Sequence, residues 1–200
     1  DIKDDHRSVS AGLITDAEYL ESLAILDQQN TAHHDEALMM SFVLIIAYRF
    51  GLRAKEAICL RRNDWCEVDD KIWLLIRNNA MRTLKRNSSR RVVPLLFQLE
   101  QHETIIIERI FARYAAIAGS NKTAPILCEL INDTVELTQF AGSISKGIAL
   151  ALRAVTQNPQ LNLHHCRHSF YNRVAPALFG ADDVISRKMT ASLNTEQLRK

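Results

Sequence analysis

The longest apolar run of the chain covers residues 37–50, and it constrains the fold more than any other segment. Only Ser41, Tyr48 and Arg49 bring polar atoms into it. The run is shorter than the ~20 residues that span a bilayer, so we expect a helix buried in the protein core. Gly51 follows the run and tolerates the left-handed conformation that ends many helices. We therefore expect the most deeply buried helix of the chain to end at Gly51.

The rest of the chain predicts a mainly α-helical domain with a small antiparallel β-sheet, an α+β fold. Thr15 and Glu18 have the spacing of a capping box, so a helix should start there. Residues 71–76 and 91–95 are rich in β-formers and are predicted to pair as antiparallel strands, joined by a polar loop. Further helices are predicted at residues 53–64, 99–117, 138–155 and 163–178.

Length and composition indicate one globular domain. A chain of 200 residues with 47% hydrophobic residues can bury a core of ordinary size. Residues 1–12 are polar and are predicted to be a linker or disordered lead-in to a domain over residues 13–200. No basic segment followed by an apolar run opens the chain, so we expect a cytoplasmic protein.

The cysteines predict free thiols. None has the two-residue spacing of a zinc or redox motif: Cys59, Cys66, Cys128 and Cys166. Cys166 lies among His164, His165 and His168, but adjacent ligands point to different sides of a helix and no second cluster completes a tetrahedron. We therefore expect no bound metal.

The basic residues of the chain are clustered. The net charge is only +2, which does not by itself indicate a nucleic-acid partner. Residues 77–91 nevertheless contain no acid and carry six cations: Arg77, Arg82, Lys85, Arg86, Arg90 and Arg91. This segment is either a solvated charged loop or a nucleic-acid surface.

Two further segments carry residues suited to phosphate chemistry. Arg53 follows the end of the buried helix, and its planar guanidinium can donate two parallel hydrogen bonds to phosphate oxygens. His164, Arg167 and His168 are three and four residues apart, so all three can share one face of a helix. A histidine beside an arginine can exchange a proton with a phosphate oxygen or a hydroxyl.

Four motifs in order resemble the catalytic domain of the tyrosine recombinases, the phage integrase family. They are Gly-Leu-Arg-x-x-Glu at 51–56, Leu-Arg-Arg-Asn-Asp-Trp at 60–65, Arg-Arg-Val-Val-Pro-Leu at 90–95 and His-x-x-Arg-His-Ser-Phe at 164–170. The resemblance covers roughly residues 13–195. It implies site-specific DNA recombination and integration through a 3′-phosphotyrosyl intermediate, as in mobile genetic elements, without metal or cofactor.

The resemblance also implies roles for individual residues. Arg53 and Arg167 match the arginine pair that grips the scissile phosphate, and Lys85 matches the lysine that protonates the departing 5′ oxygen. His164 matches an acid/base position and His168 a supporting one. Glu56 and Asp64 match acids that brace the helix of the first arginine. Arg82, Arg86 and Arg90 are the predicted DNA contacts, and Arg82 and Arg86 are rivals of Lys85.

Two departures from the family pattern stand near the end of the chain. Thr190 lies where the family has a histidine or tryptophan, and it can donate one hydrogen bond but cannot buffer a proton. The nucleophilic tyrosine is expected just after Lys200. Tyr171 is the nearby substitute, and we expect it to serve in packing.

The implied partners are duplex DNA and further copies of the protein in a synaptic tetramer, with no membrane. One alternative is a catalytically degenerate DNA-binding module of the same fold. Another is a helical scaffold unrelated to DNA, in which the motifs match by accident.

Overall fold

The computed structural model describes residues 12–28, 34–69, 71–84, 89–127 and 135–178. The helices in these ranges are α1 (Asp16–Gln28), α2 (His34–Phe50), α3 (Ala54–Ile58), α4 (Gln101–Ala118), α5 (Val135–Thr156) and α6 (Leu163–Leu178). The strands are β1 (Trp65–Val68), β2 (Lys71–Ile76) and β3 (Arg91–Pro94). The predicted class, mainly α with a small antiparallel sheet, is confirmed. The predicted lead-in lies outside the described residues except for Gly12, so it stays a prediction.

Helix α2 is the centre of the core, as its apolar sequence predicts. Every residue from Ala37 to Phe50 is buried, and α2 contacts each of the other five helices in the described ranges. The buried Arg49 near its C-terminus is paired with an acid. Arg49 donates to both carboxylate oxygens of the buried Glu103 of α4, at 2.7 and 2.9 Å, and the Tyr19 hydroxyl of α1 donates to the same carboxylate. Among the described helices, none is both long enough and apolar enough to cross a membrane.

The sheet has the order β1-β2-β3 and is antiparallel throughout. The predicted strands pair with each other, Leu74 opposite Val93, and Trp65 of β1 lies opposite Leu74 on the other side. Strand β1 was not predicted.

The prediction of a helix over residues 53–64 was wrong in its second half. Helix α3 ends at Ile58, and the backbone beyond it pairs with a distant segment. The Ile126 N–H donates to the Leu60 carbonyl, and the Arg62 N–H donates to the Ala124 carbonyl. These bonds replace the next helical turn, and residues 62–64 form a short 3-10 turn that leads into β1. The sequence of residues 59–64 alone does not reveal a partner that lies more than 60 residues away.

Gly51 makes the tight turn between α2 and α3. Its φ of +64° lies in the left-handed region that glycine tolerates best. A Cβ on Gly51 would also lie 2.3 Å from Cδ1 of Phe170, so α6 approaches the turn closely. The predicted helix end is confirmed, and the close approach of Phe170 gives glycine a second reason to stand there.

We predict that Gly51→Ala lowers the free energy of unfolding by about 3 kcal/mol, because left-handed strain and overpacking against Phe170 add. Gly142→Ala, in α5 with open space around it, is the control and should stabilise by about 0.5–1 kcal/mol. Chemical denaturation measures both variants, and a Gly51→Ala protein as stable as the wild type would contradict strain and overpacking at this turn.

Candidate functional site

Arg53 stands at the N-terminus of α3, directly after the Gly51 turn. Its backbone N–H donates to Glu56 Oε2 at 2.9 Å, and its Nη1 donates to Glu56 Oε1 at 3.1 Å. The side chain is nevertheless 54% exposed. The guanidinium is therefore held at its base and open to a ligand.

Glu56 is the buried acid that organises this corner. Arg91 of β3 donates from Nη1 and Nη2 to its two carboxylate oxygens, at 3.0 and 2.8 Å. Burial alone would raise the pKa of Glu56, but the hydrogen bonds from Arg91 and Arg53 and their charges lower it to about 2. The carboxylate thus stays ionised, and it ties α3 to the sheet. The expected bracing role of Glu56 agrees with these contacts.

Arg167 reaches the same corner from α6. Its Nη1 donates to the carbonyl of Gly51, and its Nη2 donates to the hydroxyl of Tyr171 at 2.7 Å. Burial lowers the pKa of Arg167, and the nearby positive charges of Arg53 and Arg91 lower it further. The guanidinium still remains charged at neutral pH. The structure therefore brings Arg53 and Arg167 together, although 113 residues separate them in the sequence.

Two histidines of α6 lie beside these arginines. The rings of His164 and His168 meet edge to face, with centroids 4.5 Å apart. Partial desolvation lowers the pKa of His164, as do the neighbouring charges of His168, Arg167 and Arg53. Near pH 7 His164 is therefore a neutral imidazole, which can accept a proton.

A second buried acid, Asp64, organises the sheet side of the corner. It accepts hydrogen bonds from Arg61, at 3.2 Å to each carboxylate oxygen, and from Arg77 at 2.7 Å. Asp64 therefore braces the 3-10 turn and the end of β2, whereas the sequence suggested that it braces α3.

The prediction that Arg82 contacts DNA needs correction. Arg82 is only 2% exposed. Its guanidinium donates to the backbone carbonyls of Arg77, at 2.6 and 3.1 Å, and of Glu56, at 2.9 Å. It pins the loop after β2 against α3 and is not available to a ligand. Charge alone could not reveal this, because the same six-cation segment also holds the exposed Arg90.

A cleft of about 160 Å³ opens beside Arg53. The residues around it are Arg53, Lys55, Glu56, Arg82, Thr83, Leu84 and Ser89. A second, more polar hollow of about 390 Å³ lies between Arg77 and Arg90. Lys55 and Arg90 are both exposed, so cations border the two hollows.

Three of the predicted site residues lie outside the described residues: Lys85, Arg86 and Thr190. Within the described ranges, no group of three or more histidine, cysteine or acidic side chains could hold a metal ion. Cys59, Cys66 and Cys166 are free thiols, as predicted, whereas Cys128 lies outside the described residues. Burial raises the pKa of Cys166 to about 12.

The sequence did not reveal the roles of Arg91 and Tyr171 in this site. Arg91 was counted only as one of six clustered cations, and its contact with Glu56 depends on the pairing of β3 with β2. Tyr171 was expected to pack, but it is 47% exposed and bonded to Arg167. Its position four residues after Arg167 was a usable signal, because residues at that spacing meet on a helix surface.

The fold is similar to that of solved recombinase complexes. One is XerH site-specific recombinase bound to a palindromic difH substrate in a post-cleavage complex, with TM-score 0.57, 15% identity, and coverage of 94% of this chain and 48% of that chain. Another is XerH bound to difH in a pre-cleavage complex, with TM-score 0.56, 14% identity, and coverage of 94% and 51%. This chain thus spans about half the length of those chains. No protein-family model matches it, and no curated protein matches it in sequence. The chain has a tyrosine recombinase-like fold.

We predict that Glu56→Gln lowers the free energy of unfolding by about 2–3 kcal/mol at pH 7, because it leaves Arg53 and Arg91 without their anion. The folded-state pKa is lower than the unfolded one, so this contribution is present above about pH 4.5 and is lost as pH falls toward 2. Urea unfolding at several pH values measures the difference from wild type. The exposed Glu108→Gln is the control and should change little at any pH. A pH-independent difference for Glu56→Gln would contradict the assignment.

We also predict that the His164 ring titrates below the ordinary histidine pKa of about 6.5. His168→Gln should raise the pKa of His164 toward that value, since a neighbouring positive charge is removed. Proton NMR of the ring signals against pH measures both. His102→Gln, on α4 beside Asp27, is the control and should leave His164 unchanged. A wild-type His164 that titrates at or above the ordinary value would refute the prediction.

Proposed function

We propose that this chain is a catalytic domain that cleaves and rejoins DNA strands in site-specific recombination, through a 3′-phosphotyrosyl intermediate. One observation carries the proposal. Arg53 and Arg167, distant in sequence, meet at the Gly51 turn, where Glu56 and the Gly51 carbonyl hold them. Two fixed guanidinium groups at one open corner suit a phosphodiester, whose negative charge grows in the transition state.

The proposed chemistry uses the two arginines for charge and two other groups for protons. A tyrosine hydroxyl attacks phosphorus, the bond to the 5′ oxygen breaks, and the 3′ phosphate becomes linked to the tyrosine. His164, as a neutral imidazole, accepts the tyrosine proton. The 5′ oxygen leaves with a proton from Lys85. A 5′ hydroxyl of another strand then reverses these steps and releases the tyrosine.

Four further residue assignments complete the proposal. Lys85 lies outside the described residues, but Leu84 and Ser89 line the cleft beside Arg53, which supports its role. His168 supports His164 through its edge-to-face contact. Thr190 is proposed to donate one hydrogen bond. The nucleophile is proposed to follow Lys200.

The proposed partner is duplex DNA, bound in the cytoplasm, with further copies of the protein in a synaptic tetramer. Arg53, Lys55 and Arg90 are exposed cations around the two hollows, and Arg86 is proposed to join them. Arg82 is not part of this surface. The similar XerH structures are complexes with DNA substrate, which supports the choice of partner.

Covalent capture tests the proposal. The full-length protein is incubated with a pool of nicked duplexes of random sequence, in which the short cleaved end diffuses away and traps the adduct. A denaturing gel should show protein joined to DNA, and sequencing the trapped DNA should reveal one preferred site. Arg53→Ala and Arg167→Ala should each lower the rate of adduct formation by about 10²–10³-fold, because each removes one donor to the transition state.

The control is Arg109→Ala, which removes an equal charge from a pair with Asp27 of α1 and should react normally. Circular dichroism confirms that each variant is folded. Normal capture by Arg53→Ala or Arg167→Ala would overturn the site. Tight binding that weakens steeply with salt, but without any adduct, would instead identify the degenerate DNA-binding module.

A further inference from the structure

Tyr171 is an exposed tyrosine beside the proposed phosphate clamp. Its hydroxyl accepts a hydrogen bond from Arg167 Nη2 at 2.7 Å, and the Arg167 guanidinium carbon lies 4.7 Å from its ring centroid. The side chain is 47% exposed. The other three tyrosines, Tyr19, Tyr48 and Tyr114, are buried in the core. Packing alone therefore does not explain the position of Tyr171.

The hydrogen-bond inventory of this hydroxyl leaves its proton available. A phenol has one hydrogen to donate and two lone pairs, and Arg167 occupies one lone pair. In the part of the chain that the structure describes, no group accepts the hydrogen of Tyr171. The hydrogen bond from the Arg167 cation also polarises the Tyr171 hydroxyl. This strengthens any hydrogen bond that the hydroxyl donates to a ligand.

Arg167 is fixed relative to this hydroxyl. Its Nη1 is bound to the Gly51 carbonyl, so the guanidinium cannot turn freely about its axis. An anion that approaches the solvent side of Nη2 must then come close to the Tyr171 hydroxyl as well. The two groups form a pair of adjacent donors, one charged and one neutral.

We infer that Tyr171 is a phosphate-binding residue, whose hydroxyl donates a hydrogen bond to a non-bridging oxygen of the phosphodiester held by Arg167. The inference rests on the proposed function and adds a binding group to the same site. An attacking oxygen has to lie roughly in line with the departing one. The Tyr171 hydroxyl instead lies beside the guanidinium that binds the lateral oxygens, so it is placed as a donor and not as the nucleophile.

The test compares Tyr171→Phe with Arg167→Ala in binding of the full-length protein to a 20-base-pair duplex, measured by fluorescence anisotropy over a range of salt concentrations. Tyr171→Phe should weaken binding by about 10-fold at every salt concentration, because one hydrogen bond to a charged oxygen is lost. The salt slope should not change, since a neutral hydroxyl releases no counterion. Arg167→Ala should weaken binding and reduce the slope by about one.

The matched control is Tyr114→Phe, which removes the same hydroxyl from a tyrosine bound to the Asn121 carbonyl at the end of α4. It should bind DNA as the wild type does. Unchanged binding by Tyr171→Phe would overturn the inference, and so would tighter binding, which would mean that the hydroxyl obstructs Arg167. If Arg167→Ala also leaves affinity and slope unchanged, the phosphate clamp itself fails, and the proposed function fails with it. Weaker binding by Tyr171→Phe at constant slope supports the inference.

Discussion

The turn at Gly51 is the constraint on which the rest of the site depends. A left-handed residue without a side chain ends the central helix there and lets the Phe170 ring approach within contact distance. The same turn presents its carbonyl to Arg167 and begins the short helix that carries Arg53. One backbone conformation thus fixes α2, α3 and α6 relative to one another. Because α2 is buried from Ala37 to Phe50, the corner is attached to the central helix of the core.

Buried carboxylates hold several of the arginines in fixed positions, although the net charge of the chain is small. Glu56, Asp64 and Glu103 are each at most 3% exposed, and each binds at least one arginine. Removing one partner of such a buried pair strongly destabilises a protein, because it leaves an uncompensated buried charge. The pairs therefore hold the arginines in fixed positions. The cations therefore divide into two sets. Arg49, Arg82 and Arg91 bind buried acceptors and are mostly covered, whereas Arg53, which also binds Glu56, and Arg90 remain substantially exposed. Net charge averages over both sets, and for this reason the value of +2 gives little information about the surface.

The sequence was sufficient for elements whose causes are local. The apolar run gave α2, the glycine gave its end, and the capping pair of Thr15 and Glu18 gave the start of α1, where the Glu18 N–H donates to Thr15 Oγ1. Contacts between distant segments could not be predicted from the local sequence. The end of α3 depends on residues 124–126, and the burial of Arg82 depends on the carbonyls of Arg77 and Glu56. Arg53 and Arg167 were paired only through the family resemblance, because nothing local in either segment refers to the other.

A single hydrogen bond couples the fold to the proposed function at this site. Arg167 binds the Gly51 carbonyl through Nη1, so removing the side chain also removes the partner of a buried backbone acceptor. A loss of the proposed DNA binding in such a variant would therefore have a structural component, which arises in the protein without any ligand. Arg53 differs, because its bonds go to a carboxylate that Arg91 also holds, and loss of its side chain leaves Glu56 with the bond from the backbone N–H of residue 53 and two bonds from Arg91. Unfolding measurements should then separate the two arginines even where their effects on phosphate binding are equal. An arginine that closes the fold and is also proposed to bind the substrate leaves little freedom for change, whereas one whose main proposed role is to bind the substrate can be altered at small structural cost.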